Sequence, residues 1–284
     1  MTIGRYLATR MADARLSKFF AVPGDYNLVL LDELLNEPRM KMITSCNELN
    51  GGYSADGYAR ATGFSAIVVT YMVGGLSAIN AVAGAYSDNL PLLVISGGPN
   101  SNERYGRILH HTIGERDSSQ QSKCYAPVVA DTFIVRNPDV AAVTIDRAVL
   151  TCLEKKKPVY LEIACNLAGY KIGAPNPLNM KPFQPFSDPL SLAAALTAAI
   201  NKIENSVKPV LLAGNKLKCS DAESPFLELS AALGCAVAVM PDAKGLVPES
   251  NRAFMGIIRL FRYICFYIAV YMSVCMYVCM HACM

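Results

Sequence analysis

The sequence has little excess charge of either sign. Its 284 residues carry 26 Lys and Arg against 23 Asp and Glu, a formal net charge of +3, and Arg259 and Arg262 supply two of these charges. A surface that binds nucleic acid needs a stronger basic excess, so that class of partner is excluded. The sequence also lacks a repeat of solenoid length, whereas 52% hydrophobic residues are ample for one large or two ordinary domains.

The N-terminus lacks the continuous apolar run of a secretory signal peptide. Residues 1–10, MTIGRYLATR, mix apolar and polar side chains, and Asp13 follows closely. This pattern predicts an amphipathic helix. Six of the ten cysteines are scattered through the first 235 residues without metal-ligand spacing, which indicates reduced, structural thiols. The predicted location is therefore cytoplasmic.

Helical and strand-like apolar patterns alternate along residues 1–172. Short buried-type runs predict strands at 19–22, 42–44, 66–70, 92–96 and 159–163. Helical patterns lie at 28–35, 48–62, 76–86 and 140–155. The residues between 96 and 140 are predicted to form a polar loop. Alternation of this kind predicts an α/β fold, a doubly wound and mostly parallel sheet covered by helices on both faces.

A proline-rich linker is predicted at residues 173–189, and a second α/β unit follows it. That unit has helical patterns at 190–203 and 226–233 and strand patterns at 210–213 and 236–240. Two strands and their helices cannot close a doubly wound domain. Residues 190–256 are therefore predicted to be an incomplete α/β domain with an uncovered apolar sheet edge.

The composition changes abruptly after residue 256. Residues 257–284 contain four of the ten cysteines, and the eighteen residues Tyr263–Met280 have no charge. One interpretation is a marginal membrane span. The favoured interpretation is a non-native tail from intron read-through, because Met276–Cys279 and Met280–Cys283 can each be encoded by a repeated tetranucleotide. A membrane association is accordingly not expected.

One carboxylate stands where an apolar strand turns into a glycine-rich helix. In residues 46–63, CNELNGGYSADGYARATG, this carboxylate is Glu48, and Gly63 is a plausible helix stop. A partly desolvated carboxylate at such a position can share a proton with a heterocyclic nitrogen. The alternative is a charge that only complements the helix dipole.

Two further polar positions stand out. Asp25 directly follows Pro23-Gly24, where an Asp is commonly a turn former or a helix cap. His110 and His111 are adjacent in a predicted loop and are two of only three histidines. Without Cys or acidic ligands nearby, such a pair is weak evidence for a metal site, and a solvated loop is the alternative.

These segments together resemble the N-terminal part of the pyruvate decarboxylases and the related indolepyruvate decarboxylases. The resemblance rests on VPGDYN at 22–27, the Glu48 segment, residues 70–76 and RILHHTIG at 107–114, and it extends from Ile3 to about Gly256. It implies an enzyme that uses thiamine diphosphate and Mg²⁺ to decarboxylate a 2-oxo acid, with pyruvate giving acetaldehyde and CO₂. It also implies a homo-oligomer, either a dimer or a tetramer.

The resemblance assigns a cofactor-binding role to the Glu48 segment. In the family, the glutamate that matches Glu48 binds the aminopyrimidine ring of thiamine diphosphate and promotes its imino tautomer. Thr70, Val73 and Gly74 match the loop that contacts this ring; the alternative for these residues is an ordinary turn from strand to helix.

The resemblance also assigns catalytic roles to Asp25, His110 and His111. In the relatives, the matching side chains form a polar wall that handles protons around the reacting substrate. The acetolactate synthase and pyruvate oxidase types generally lack the histidine pair, so the pair favours the decarboxylases.

The sequence departs from the family in one respect. The relatives carry a Gly-Asp-Gly motif and a downstream Asn that hold Mg²⁺ and the diphosphate; Asp56-Gly57 and Asp242 do not reproduce this motif. We therefore expect this chain to lack the Mg²⁺ ligands and to be inactive alone, as an incomplete part of a full-length enzyme. The alternatives are a non-catalytic partner of intact subunits and a chain tethered to a membrane by its tail.

Overall fold

The computed structural model describes residues 1–103, 118–174, 187–220 and 222–258, with the side chain of Cys219 left out. The chain divides into two units, Met1–Pro182 and Phe183–Met284. Three predicted features lie outside the described residues: the His110-His111 pair, most of the proline-rich linker, and the apolar tail beyond residue 258.

The first unit is built on a six-stranded parallel sheet of order β2-β1-β3-β4-β6-β5. Its strands are β1 (Lys18–Ala21), β2 (Lys41–Thr44), β3 (Ser65–Val69), β4 (Leu92–Gly98), β5 (Thr132–Val135) and β6 (Val159–Ala164). Its helices are α1 (Ile3–Asp13), α2 (Leu28–Leu35), α3 (Glu48–Thr62), α4 (Val73–Ser87), α5 (Gln120–Tyr125) and α6 (Ala141–Lys155). The predicted doubly wound α/β fold is confirmed.

Each face of this sheet has its own apolar core. Val68 and Ile95 pack with α1, α2 and α6 on one face, whereas Val69 and Val94 pack with α3, α4 and α5 on the other. The alternation follows from the strand period of two, and every residue of β3, β4 and β6 is buried. Helices therefore cover both faces, as the apolar runs of these strands require.

Small residues let α3 and α4 approach each other closely. A Cβ placed on Gly52 of α3 would lie only 2.7 Å from the Cβ of Ala81 in α4. Ala55 and Ala59 of α3 and Ala78 of α4 are buried in the same core. The two helices begin next to each other as a result, and the candidate site lies at these helix starts.

The predicted polar loop between residues 96 and 140 contains two regular elements in its described part. Helix α5 is only six residues long, and edge strand β5 is only four residues long, with two of its residues half-buried. The prediction of an unbroken loop is therefore wrong. The two elements were missed because neither is long enough to show a clear apolar period. Helix α4 begins at Val73. The sequence predicted a start at about Leu76 because Gly74-Gly75 interrupt the apolar pattern.

The second unit contains a three-stranded parallel sheet of order β7-β8-β9. Its elements are α7 (Pro189–Glu204), β7 (Val210–Ala213), α8 (Lys216–Cys219), α9 (Glu223–Leu233), β8 (Ala236–Val239) and β9 (Phe254–Ile257). The expectation of only two strands is therefore wrong. Strand β9 escapes the sequence pattern because Gly256 has a φ of 120° and its pairing with β8 shifts register. Helix α7 buries none of its side chains, and Leu190 is 82% exposed.

A buried ion pair joins α1 to α6 in the first unit. Arg10 is 1% exposed, and its Nε and Nη2 donate to the two carboxylate oxygens of Asp146 at 2.7 and 3.2 Å. The Tyr6 hydroxyl donates to the same carboxylate at 2.8 Å. Removing one partner of such a pair leaves the other charge uncompensated.

We expect Arg10→Met to lower the free energy of unfolding by about 3 kcal/mol, because the Asp146 carboxylate loses its charged partner. The double variant Arg10→Met/Asp146→Leu should lose less than the sum of the two single losses. Urea unfolding of the four proteins measures this. Strictly additive losses would contradict a specific link between the two side chains.

Candidate functional site

The candidate site lies at the carboxyl ends of three neighbouring strands. Strands β2, β1 and β3 are adjacent and parallel, so the segments that follow them emerge at the same edge of the sheet. In open α/β sheets this edge is where ligands bind. Asp25 follows β1, Glu48 follows β2, and Thr70 follows β3.

Glu48 is the first residue of α3, and its side chain is half-buried. Asn47 caps the helix, since its side-chain oxygen accepts the Asn50 N–H at 2.8 Å. A Cβ placed on Gly74 would lie 2.7 Å from Glu48 Oε1. The carboxylate therefore occupies space beside the Gly74 backbone that a Cβ at this position would need. The position in the first turn of α3 also suits the helix dipole.

Thr70 connects the ends of β1 and β3. It is 7% exposed, and its hydroxyl donates to Asp25 Oδ1 at 3.3 Å. A Cβ on Gly24 would lie 2.5 Å from the Thr70 Cβ, so this approach requires glycine. Asp25 is exposed and also accepts the Tyr26 N–H at 3.1 Å. Asp25 therefore stabilises its own turn and also bonds Thr70 at the candidate site.

The predicted cofactor-binding and catalytic residues in the described part of the chain come together at this edge. Gly74 lies against Glu48, and Thr70 bonds Asp25. Val73 is the first residue of α4 and is 42% exposed. His110 and His111 lie outside the described residues.

Sequence reasoning missed Asn27, which holds the loop carrying Asp25. This residue is fully buried, its Oδ1 accepts the Gly24 N–H at 2.9 Å, and its Nδ2 donates to the Val22 carbonyl at 3.0 Å. An Asn two residues after Gly24-Asp25 is a recognisable turn signal. That signal could have identified it.

Sequence reasoning also missed Gln121, which lies beneath the segment that carries Val73 and Gly74. Gln121 is fully buried, and its Oε1 accepts the N–H of Met72. Its Nε2 donates to Ser96 Oγ at 2.8 Å and to the Tyr160 hydroxyl at 2.7 Å. A single Gln in a segment without an apolar period gives no indication in the sequence that its side chain is buried and bonds distant residues.

A buried acid extends this polar network. The Tyr160 hydroxyl donates to Glu162 Oε2 at 2.8 Å, and Arg136 Nη2 donates to Glu162 Oε1 at 3.1 Å. Burial raises the pKa of Glu162, although the bonds from Tyr160 and Arg136 oppose the increase. Burial, and next the charge of Glu162, raises the pKa of Tyr160 well above its ordinary value. The Tyr160 hydroxyl therefore stays protonated and donates a hydrogen bond to Glu162.

No cluster of three His, Cys, Asp or Glu side chains that could hold a metal ion occurs among the residues that the structure describes. Asp56, compared above with the Mg²⁺ motif, instead pairs with Arg60, whose Nε lies 2.6 Å from Asp56 Oδ1. Within the same described residues, no helix combines the length and the apolar character needed to span a membrane.

Comparison with known proteins agrees with this geometry. Residues 1–122 match the family described as "Thiamine pyrophosphate enzyme, N-terminal TPP binding domain", and residues 196–270 match "Thiamine pyrophosphate enzyme, central domain". The chain therefore carries regions that match the N-terminal and central domains of the thiamine pyrophosphate enzymes.

Within this class, the similarity is to the pyruvate decarboxylases, and the resemblance seen in the sequence is confirmed. The chain is 49% identical to pyruvate decarboxylase 2 of Oryza sativa subsp. japonica over 263 residues, which cover 90% of this chain and 43% of the rice protein. It is also 49% identical to pyruvate decarboxylase 1 of Arabidopsis thaliana over 261 residues, 90% of this chain and 42% of that protein. The chain thus spans less than half the length of these curated relatives.

We expect Gly74→Ala to destabilise the protein by about 1 kcal/mol, the low end of the cost of overpacking, because the new methyl group displaces the flexible Glu48 carboxylate. Gly84→Ala is the matched control on the same helix, since a Cβ there meets nothing within 4 Å. It should stabilise the protein by about 0.5–1 kcal/mol. Urea unfolding measures the change in stability of each variant. Equal changes of the same sign in both variants would contradict the close approach of Gly74 to the Glu48 carboxylate.

The buried acid predicts a pH dependence of stability. Because its pKa is raised in the folded state, Glu162 binds its proton more tightly there than in the unfolded chain. Its contribution to stability is therefore full below the ordinary Glu pKa and is lost as the pH rises through the raised value. Relative to Glu162→Gln, the native protein should lose stability in urea unfolding as the pH is raised from about 4, near the ordinary Glu pKa, through the raised value. A constant difference across this range would contradict the assignment.

Proposed function

We propose that the protein to which these residues belong catalyses the non-oxidative decarboxylation of a 2-oxo acid with thiamine diphosphate. Pyruvate is the proposed substrate, and acetaldehyde and CO₂ are the proposed products. The observation that carries the proposal is the half-buried Glu48 carboxylate held against Gly74 at the carboxyl edge of a parallel sheet. The identity to plant pyruvate decarboxylases supports the choice of reaction.

The residues of the site fit the pyrimidine end of this cofactor. A Cβ on Gly74 would fill the space beside Glu48, and a Cβ on Gly24 would overlap Thr70. The glycines thus make room for the half-buried Glu48 carboxylate and for Thr70 at the sheet edge. Glu48 would hold a proton at a ring nitrogen of the pyrimidine, while Thr70, Val73 and Gly74 would contact the ring.

Bound thiamine diphosphate supplies the electron sink for the loss of CO₂. The residues of this chain hold and move protons around the substrate. Asp25, fixed by its hydrogen bond from Thr70, would act here together with His110 and His111. The part given to the two histidines is supported by the resemblance.

The proposal has further parts that are supported by the family resemblance alone. They are the use of Mg²⁺ with the diphosphate and assembly as a homo-oligomer. A cytoplasmic location is also proposed, and the scattered cysteines without metal-ligand spacing support it. The proposed division of the chain is a pyrimidine-binding domain at 1–172, a linker at 173–189, a partial central domain at 190–256 and a distinct tail at 257–284.

A chimeric enzyme tests the proposal. Residues 1–258 replace the matching part of rice pyruvate decarboxylase 2, and acetaldehyde and CO₂ are measured with pyruvate and with larger 2-oxo acids. The chimera should be active, with the highest kcat/KM for pyruvate. Glu48→Gln should lower the rate by about 10²–10⁴ because the proton-holding carboxylate is gone. The isolated chain in the same assay tests the expectation that it is inactive alone.

The matched control is Glu154→Gln, which neutralises an exposed carboxylate on α6, on the other face of the sheet from α3 and α4. Its rate should remain within about twofold of the parent chimera. A Glu48→Gln chimera as active as this control would remove the proposed role of Glu48. A folded but inactive parent chimera would argue against the decarboxylase function itself.

A further inference from the structure

The segment between β3 and α4 contains a strained residue. Met72 has φ 60° and ψ −81°, close to the rarer of the two γ-turn geometries, and it is not a glycine. Such backbone conformations are unfavourable and persist only where the surroundings enforce them. Met72 lies directly before Val73 and Gly74, so the strain is located in the segment that lies against Glu48.

Gln121 supplies the bond that enforces this conformation. The Met72 carbonyl accepts the Leu76 N–H at 2.8 Å, and the Met72 N–H donates to Gln121 Oε1. Both Met72 and Gln121 are buried. If the amide oxygen of Gln121 were lost, a buried N–H would lose this partner, which is costly away from water.

The orientation of the Gln121 amide is determined by its other neighbours. The Ser96 hydroxyl donates to the Gly97 carbonyl at 2.8 Å, and the Tyr160 hydroxyl donates to Glu162 at 2.8 Å. Both hydroxyl oxygens are thus left to accept from Gln121 Nε2. A flipped amide would place two donors, its own NH₂ and the Met72 N–H, against each other. The network therefore selects the orientation that holds Met72.

The same short helix makes a second bond to this turn. The Tyr125 hydroxyl, four residues after Gln121, donates to the Gly75 carbonyl at 2.7 Å. A Cβ on Gly75 would lie 2.4 Å from the Gln121 Cδ, so the amide packs directly on the turn. Two side chains of helix α5 thus bond the backbone of residues 72–75. The Glu48 carboxylate contacts the same segment at Gly74.

We infer that Gln121 is a positioning residue for the cofactor: by accepting the Met72 N–H it fixes the strained turn, and thereby the spacing of Gly74 and Glu48 that the pyrimidine ring requires. The inference rests on the proposed function for the identity of the ligand. The local structural part, that Gln121 enforces the conformation of Met72, is independent of any ligand.

Amide hydrogen exchange of the 284-residue chain tests the local part. In Gln121→Met the side-chain volume is kept, but the Met72 N–H loses its acceptor. Protection of the Met72 amide should fall roughly tenfold relative to that of Ile95 in β4, the loss expected for one hydrogen bond. Ser122→Ala on the same helix is the control and should leave the ratio unchanged. An unchanged ratio in Gln121→Met would overturn the inference.

The chimeric enzyme described above tests the link to the cofactor. Gln121→Met should raise the Kd for thiamine diphosphate, measured by isothermal titration calorimetry, about tenfold. The KM for pyruvate should stay within about twofold, because Gln121 is fully buried and contacts only protein groups. An unchanged cofactor Kd together with lost Met72 protection would show a purely structural role and overturn the inference.

A second variant covers the case in which Gln121→Met fails to fold. Gly75→Ala should displace the Gln121 amide and reproduce both effects, with Gly84→Ala as its control. Normal protection and normal cofactor affinity in Gly75→Ala would also overturn the inference. If the parent chimera binds no cofactor, the proposed function fails and the cofactor role of Gln121 fails with it, whereas the exchange result still tests whether Gln121 enforces the conformation of Met72.

Discussion

The close approach of the Gly74 backbone to the Glu48 carboxylate is the constraint on which the candidate site depends. It requires β1, β2 and β3 to be parallel neighbours, since only then do the segments after β2 and β3 emerge at one edge of the sheet. It also requires α3 and α4 to pack at short distance, which Gly52 and Ala81 permit. The glycines and alanines of these two helices therefore serve the site as well as the core.

The polar residues around the site form two supporting layers. Above the sheet edge, Asn27 closes the loop that carries Asp25, and Thr70 joins that loop to β3. On the face covered by α5, Gln121 holds the backbone before α4. Asn27 and the amide oxygen of Gln121 bond backbone groups of the loops that they support, so these side chains hold the backbone around the site. The contact proposed between Glu48 and a planar ring would benefit from such preorganised support.

The sequence allowed much of the fold to be predicted, because the long buried strands and helices of the first unit show strong apolar periods. The elements it missed are short or irregular: α5, β5 and β9 have few residues, and β9 includes a glycine at positive φ. Glu48 was identifiable because the segment around it resembles the pyruvate decarboxylases, whereas a carboxylate at a helix start has an ordinary explanation in the helix dipole. Gln121 was not identifiable, since buried polar residues leave no trace in apolar periodicity.

The sequence by itself determined the alternation of strands and helices, the positions of the glycines and the resemblance to thiamine pyrophosphate enzymes, because each of these is written in local patterns. Only the tertiary structure decided which polar atoms meet. Gln121 and Met72 are 49 residues apart, and Thr70 and Asp25 are 45 apart. Hydrogen bonds over such separations depend on how the parallel strands are ordered in the sheet, and a strand order is a property of the packed chain rather than of any segment.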